Sequence, residues 1–287
     1  MDSSRKSNGH IIELNDIHVI FGDYCALDIE HLAFDKSERV FVLGSSGSGK
    51  TTLSRIIKGR LAPSTGTVEV YGVNPVSVKG KEKRANQRRV AMIDQEFFLV
   101  PRLSVVGNVL SGCLGRVSPW RSLLSWYPSS EWKKVEEILQ EVELNGLGHR
   151  KVETLSGGQR QRTAIARALM QEADVIVADE PVSNLDPELA EEALEVFVDC
   201  AKRRGVTLIV NLHQPSLARR YATRLIGLAD GKIVYDGPPE ELTDELADYI
   251  YRGDLRVNAA KEEVRNAGSS ETMEEGSSDP TVRVIRG

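Results

Sequence analysis

The sequence predicts an α/β fold, a sheet with helices on its faces. Three short apolar runs read as buried strands: ERVFVLG (38–44), DVIVADE (174–180) and VTLIVNLH (206–213). Segments with helical spacing alternate with them, the pattern of strands joined through covering helices. A Gly/Ser-rich turn joins the first of these strands to the first helix.

The elements follow in order. Residues 11–20, IIELNDIHVI, form a β-rich segment. After the strand at 38–44, TTLSRIIKGRL has helical spacing at Leu53, Ile56, Ile57 and Leu61. PSTGTVEVYG (63–72) reads as turn, strand, turn. Residues 79–89 carry Lys79, Lys81, Lys83, Arg84, Arg88 and Arg89, and RVAMID after them reads as a strand. The character changes over 96–164, where Gly, Pro and Ser interrupt short helical patterns and Trp120, Trp126 and Trp132 all fall. Helices are expected at 131–144 and at about 157–171. PELAEEALEVFVDCAKRRG (187–205) is a long helix that ends on basic residues and Gly, as a helix C-terminus favours. RLIGLADGKIVYDGPP (224–239) is a hairpin with a D-G turn at 230–231. The pattern ends at about 253, and 253–287 is polar, Ser- and Glu-rich and expected to be disordered.

Composition sets outer limits. The chain has 287 residues, 37 Lys+Arg against 42 Asp+Glu, and a formal net charge of −5. That balance argues against nucleic acid as a partner held by bulk charge. No run approaches the roughly 18 apolar residues of a membrane span. The first ten residues lead to no apolar segment, so no secretory signal is expected. Cys25, Cys113 and Cys200 are too far apart for a metal-ligand motif and suit a reducing cytosol.

Residues 44–51, GSSGSGKT, match G-x-x-x-x-G-K-[ST] between a strand and a helix. Gly44, Gly47 and Gly49 let the backbone of Gly44, Ser45, Ser46, Gly47, Ser48 and Gly49 turn its N–H groups toward phosphate oxygens. The helix that follows, through Thr52, points its positive end at the same anion. Lys50 can neutralise β- and γ-phosphate charge, and the Thr51 hydroxyl can ligate Mg²⁺. A nucleoside triphosphate is the ligand this chemistry implies. VIVADE ends a strand in two carboxylates: Asp179 is placed to hold Mg²⁺, and Glu180 could polarise a water toward the γ-phosphate. LSGGQRQR (155–162) starts a helix that Ser156 can cap, with Gly157 and Gly158 exposing N–H groups. On its own it reads equally as a plain glycine-containing helix cap or as a second anion cradle, of little use to one phosphate loop unless it serves a nucleotide held by another subunit.

GSSGSGKT, LSGGQ, VIVADE, SNLD and His213, in that order, resemble the nucleotide-binding subunit of an ATP-binding-cassette (ABC) transporter over roughly residues 11–250. The resemblance implies a RecA-like P-loop NTPase core with an ABC-type antiparallel β subdomain (11–95 and 165–250). It also implies an inserted α-helical subdomain bearing the signature motif (96–164). It implies ATP and Mg²⁺ as ligands, with Ser156, Gly157, Gly158 and Gln159 of one chain closing over ATP held by the other. Phe21 would stack on adenine, and Gln95 would be the lid glutamine that joins Mg²⁺ and the attacking water to the transport machinery. Asp186 would lie at the dimer seam, and His213 would contact the γ-phosphate. Glu180, His213 and Gln95 would be the catalytic set, and Thr51, Gln95 and Asp179 the metal set.

LVPRLSV, LGR-x3-WRSLL and LHQ-x2-LARRYA narrow the resemblance to the ATPase of phosphonate importers. The usual pattern has Phe where this chain has Asp94, Gln where it has Glu96, and SALD where it has SNLD. None of these removes a catalytic group. They leave phosphate and phosphite systems, close relatives, open as alternatives to phosphonate. The implied partners are a second copy in a head-to-tail dimer, an integral membrane permease and, indirectly, a solute-binding protein. The implied place is the cytoplasmic face of the plasma membrane, peripheral through the permease. A soluble cassette ATPase of DNA repair or ribosomes is the rival, but those carry two cassettes or a long coiled coil, and this chain has neither. Trp120, Trp126, Tyr127 and Trp132 read as the small core of the helical subdomain, or else as part of a groove for a permease helix. The basic 79–89 stretch reads as a solvated face, with an acidic permease loop or lipid headgroups as its other reading.

Overall fold

A computed structural model describes residues 9–117 and 127–252. The expectation for 253–287, and those for Trp120 and Trp126, lie outside the described residues.

Among the described residues, nine strands form two sheets. The first is antiparallel, in the order β2 (Tyr24–Phe34), β1 (Ile12–Phe21), β4 (Thr65–Val70). Its buried side pairs Leu14 with Leu32 and Val68, and Ile17 with Ile29. Alternation switches from Ile12 and Leu14 to Ile17 and Val19 through Asp16, whose φ of 52° marks the irregularity.

The second sheet has the order β5 (Val90–Ile93), β6 (Val175–Asp179), β7 (Thr207–Leu212), β3 (Arg39–Leu43), β8 (Arg224–Ala229), β9 (Lys232–Gly237). All its pairings are parallel except the β8–β9 hairpin, which turns at Asp230 and Gly231 as the D-G dipeptide predicts. β6 and β7 are buried at every residue, because both faces are covered. Alternate side chains enter two separate cores. Val40, Val42, Val175, Val177 and Ile209 pack with the antiparallel sheet and helix α1 (Lys50–Ile57). Phe41, Leu43, Ile176, Ala178, Leu208 and Val210 pack on the opposite side with other helices.

The helices of that core include α3 (Val105–Leu110), α4 (Ser129–Glu141), α5 (Gly157–Met170) and α6 (Pro187–Arg204), whereas α2 (Gly80–Arg89) contributes no residue to either core. Two more follow, α7 (Pro215–Tyr221) and α8 (Asp244–Arg252). Helix α1 stops before Leu61, because the chain turns at Gly59, whose φ is +70°. Helix α4 stops at Glu141, short of the expected 144, and Glu143 beyond it has φ 57°. The basic 79–89 stretch is helix α2, whose only buried residue is Asn86, so it presents a solvated face. Trp132 is 44% exposed and is not part of the core formed by the described residues, whereas Tyr127 packs partly buried against the core that holds Val135 and Ile138.

Candidate functional site

The phosphate loop sits between the C-terminal end of β3 and the start of α1, where parallel strands of an open sheet present ligands. Gly49 precedes α1 with φ 109°. A Cβ there would come within 2.7 Å of the Ala26 carbonyl oxygen, so only glycine fits both the angle and the space. A cleft of ≈ 380 Å³ opens over this turn, lined by Phe21, Tyr24, Ala26, Ser46, Gly47, Gly49, Lys50, Thr51, Thr52, Gln95, Glu180 and His213. Residues far apart in sequence meet there: Phe21 from the end of β1, Gln95 after β5, Glu180 after β6 and His213 after β7.

Lys50 is 4% exposed, and its Nζ donates to the carbonyls of Gly44 (2.7 Å) and Ser45 (2.9 Å). Burial lowers its pKa, while Glu180 and Asp179 oppose that by attraction, so both carboxylates lie within electrostatic reach of the ammonium. Asp179 ends β6 and is 7% exposed. The Nδ2 of Asn211 donates to Asp179 Oδ1 at 2.7 Å and to Ser54 Oγ of α1 at 3.0 Å. Glu180 follows with φ 50°, left-handed backbone that a residue with a Cβ adopts at a cost. Its N–H donates to the carbonyl of Asn211 at 3.1 Å, and its Oε1 is hydrogen-bonded to His213 Nε2.

Phe21 is 50% exposed, so it is not a core aromatic. Tyr24 stands beside it and donates its hydroxyl to the carbonyl of Gly47 at 3.1 Å. Hydroxyl, amide and carboxylate oxygens on Thr51, Gln95 and Asp179 are hard donors of the kind Mg²⁺ takes. No group of three His, Cys, Asp or Glu among the described residues could cage a metal alone. A cation that keeps waters and shares substrate phosphates fits that sparse set.

Ser156 caps α5 as its sequence predicts: its Oγ accepts from Gln159 N (3.3 Å), and Gln159 Oε1 accepts from Ser156 N (3.1 Å). Ser156, Gly157, Gly158, Gln159 and Asp186 do not line the cleft over Lys50. They gather elsewhere: a Cβ on Gly157 would lie 3.2 Å from Leu185, next to Asp186 at the start of α6.

Sequence reasoning missed Tyr24, Asn211 and Arg167. The first lies on β2, whose YCALDIEHLAF lacks clean alternation. Asn211 is hidden inside an apolar strand run, and its one signal was an amide where the pattern calls for an apolar residue. Arg167 of α5 donates through Nη1 to the carbonyl of Phe98 at 2.8 Å and through Nη2 to that of Phe97.

A family profile described as ABC transporter matches residues 27–183, more than half of the chain. A protein of Rhodopseudomonas palustris (strain BisB5) named as a phosphonates import ATP-binding protein is 42% identical over 231 residues, 80% of this chain and 86% of that protein. Among solved structures, an ATP-binding cassette of an ABC transporter in its ADP conformation superposes with TM-score 0.70 at 29% identity, covering 83% of this chain and 95% of that one. A dimeric cassette in a post-hydrolysis state bound to ADP and Pi gives TM-score 0.67 at 28% identity, covering 79% and 98%. No helix among the described residues is long and apolar enough to cross a membrane. The α/β fold with a phosphate loop, the order of the motifs and these likenesses agree: the chain belongs to the ABC transporter family, as an ATP-binding subunit.

Proposed function

We propose that this subunit hydrolyses ATP to energise phosphonate uptake through a partner permease at the cytoplasmic face of the plasma membrane. The observation that carries the reading is the shared lining of one cleft by Phe21, Lys50, Thr51, Gln95, Glu180 and His213. In this reading the purine stacks on Phe21 beside Tyr24, and the phosphates lie across the 44–52 turn with Lys50 turned toward them. Thr51, Asp179 and Gln95 hold Mg²⁺, which when bound neutralises charge on the β- and γ-phosphates. Glu180 accepts a proton from the attacking water, and His213 orients Glu180 and the γ-phosphate. Positioning and charge stabilisation supply most of the rate.

The site is completed by a second copy. Ser156, Gly157, Gly158 and Gln159 stand away from the cleft of their own chain, and as a capped helix start they suit the γ-phosphate of a neighbour's ATP, with Asp186 at the seam. The related cassette bound to ADP and Pi is dimeric, which supports this arrangement. The 11–95 and 165–250 segments act as the nucleotide-binding core, and 96–164 as the lever that carries the signature helix.

A second, larger cleft of ≈ 660 Å³ receives the permease in this reading. Lys58, Arg60, Arg84, Arg88, Arg116 and Arg167 line it, with Asp94 the one acidic lining residue among the described residues and exposed Phe98 and Leu114 beside them. An acidic segment with an apolar edge complements that wall. Asp94 faces this cleft and Gln95 the nucleotide cleft, so residues 94–98 stand between the two. A push on one side is felt on the other. Reconstitution in proteoliposomes with its permease and solute-binding protein tests the function. ATP-dependent uptake of radiolabelled methylphosphonate is expected, and uptake of phosphate or phosphite in its place reassigns the solute.

A further inference from the structure

Asn211 is an amide in a strand whose every residue is buried, and it is itself 0% exposed. Burying an amide there is costly unless it is used. It lies directly opposite Asp179 across the β6–β7 pairing. Its Nδ2 donates to Asp179 Oδ1 at 2.7 Å and to Ser54 Oγ at 3.0 Å. Those bonds fix the amide's orientation, because turned over it would set its oxygen against a carboxylate oxygen. One oxygen of Asp179 is thus held by a neutral donor, and the other remains for a cation. A lysine or arginine would also hold the carboxylate, but it would cancel the charge that attracts the metal. Ser54 lies one turn along α1 from Lys50 and Thr51, so the amide also ties the acidic strand end to the phosphate-loop helix.

We propose that Asn211 is a positioning residue that orients the Asp179 carboxylate for the divalent cation accompanying the nucleotide phosphates. The inference rests on the reading of Asp179 as a metal contact. Removing the outer hydrogen-bond partner of a metal ligand typically lowers metal affinity by ~10–100-fold.

The test compares Asn211→Val with Asn211→Thr, two β-branched residues of one shape that differ in a hydroxyl donor. Binding of a fluorescent ATP analogue is measured in EDTA and then across a Mg²⁺ titration, with thermal unfolding recorded for each variant. Both variants are expected to bind the analogue without metal within about twofold of the parent. Asn211→Val should raise the half-saturating Mg²⁺ concentration about tenfold, and Asn211→Thr should restore most of that loss. Equal Mg²⁺ curves for the Val and Thr variants overturn the proposal, as does a loss of metal-free binding as large as the loss of Mg²⁺ response. Asp179→Asn separates the two levels. If it abolishes the Mg²⁺ response while Asn211→Val leaves it intact, the role of Asn211 fails alone. If Asp179→Asn itself keeps the parent curve, the reading of Asp179 fails and takes the proposal with it.

Discussion

His213 Nε2 is hydrogen-bonded to Glu180 Oε1, an imidazole at the end of one strand joined to a carboxylate at the end of its neighbour. β6 and β7 pair in parallel, so their ends arrive side by side at the same cleft. Glu180→Gln keeps the shape and a hydrogen bond to His213 but loses the base. ATP binding should stay within about threefold, and turnover should fall by ~10²–10⁴, the usual worth of a general base. Unhydrolysed ATP should then hold two copies together. Light scattering behind gel filtration with Mg·ATP reads this, and a monomer at saturating nucleotide would count against the two-chain site.

The parts of this site that the sequence made legible are those whose chemistry admits few residue types. A tight turn that leads into a helix beside a buried lysine calls for GSSGSGKT, and Asp179 and Glu180 stand at the end of β6, where the proposed function needs a metal contact and a base. Asn211 was not legible, because what it does depends on a strand register that no local pattern encodes. β2 escaped notice for a similar reason. Its YCALDIEHLAF carries Asp28, Glu30 and His31 among the apolar residues, and becomes a strand by pairing with β1. Helix α2 has almost no buried face, so GKEKRANQRR shows charge where periodicity would have shown a helix. Asp94 was legible as a departure, but its partner was not: it pairs with Arg60 at 2.7 Å, a contact that needs the fold to exist.

The left-handed backbone of Glu180 makes a separate prediction about stability. At most positions glycine is less stable than alanine by ~0.5–1 kcal/mol, because it frees the unfolded chain. At φ 50° the Cβ itself is strained by roughly 1–2 kcal/mol. Comparing Glu180→Gly with Glu180→Ala cancels the lost carboxylate, which both variants share. The Gly variant should be the more stable by up to about 1 kcal/mol in denaturant unfolding. The ordinary order, Ala above Gly, would show that this turn carries no strain.

Arg167 holds the loop that follows Gln95. Its guanidinium donates to the carbonyls of Phe97 and Phe98, which have φ 59° and 44°. Two consecutive left-handed residues are costly, and hydrogen bonds to a charged donor, worth ~1.5–3 kcal/mol each, offset that cost. Arg167→Ala should therefore loosen 94–98 without touching the phosphate loop. ATPase turnover should fall about tenfold at nearly unchanged nucleotide affinity, and a protease should cut near Phe98 sooner. Arg167→Lys can satisfy one carbonyl at a time and should fall between. Nucleotide affinity dropping in step with turnover would place the role of Arg167 elsewhere.

Lys58 supplies a pH signature for the wall of the larger cleft. Burial and the neighbouring Arg60 push its pKa down from 10.5 to about 8, with Asp94 opposing. Its Nζ donates to the carbonyls of Gln87 and Val90. Below about pH 8 the lysine is charged in both folded and unfolded chains, and the folded protein bears the whole cost of its burial. Between about pH 8 and 10.5 the unfolded chain binds more protons than the folded one, so this group raises stability as pH rises. Lys58→Met removes the titration while leaving both carbonyls a partner, since Gln171 Nε2 also donates to Gln87 (3.2 Å) and Val90 (3.1 Å). The variant should melt higher than the parent near pH 7, by ~2–4 °C for a gain of about 1 kcal/mol. That advantage should begin to shrink near pH 8 and be gone by about pH 9, as the parent's lysine sheds its charge. Thermal unfolding of both proteins across this range reads the difference directly. An offset that stays constant with pH would mean that Lys58 does not titrate there, and that its cost in the fold is packing and not charge.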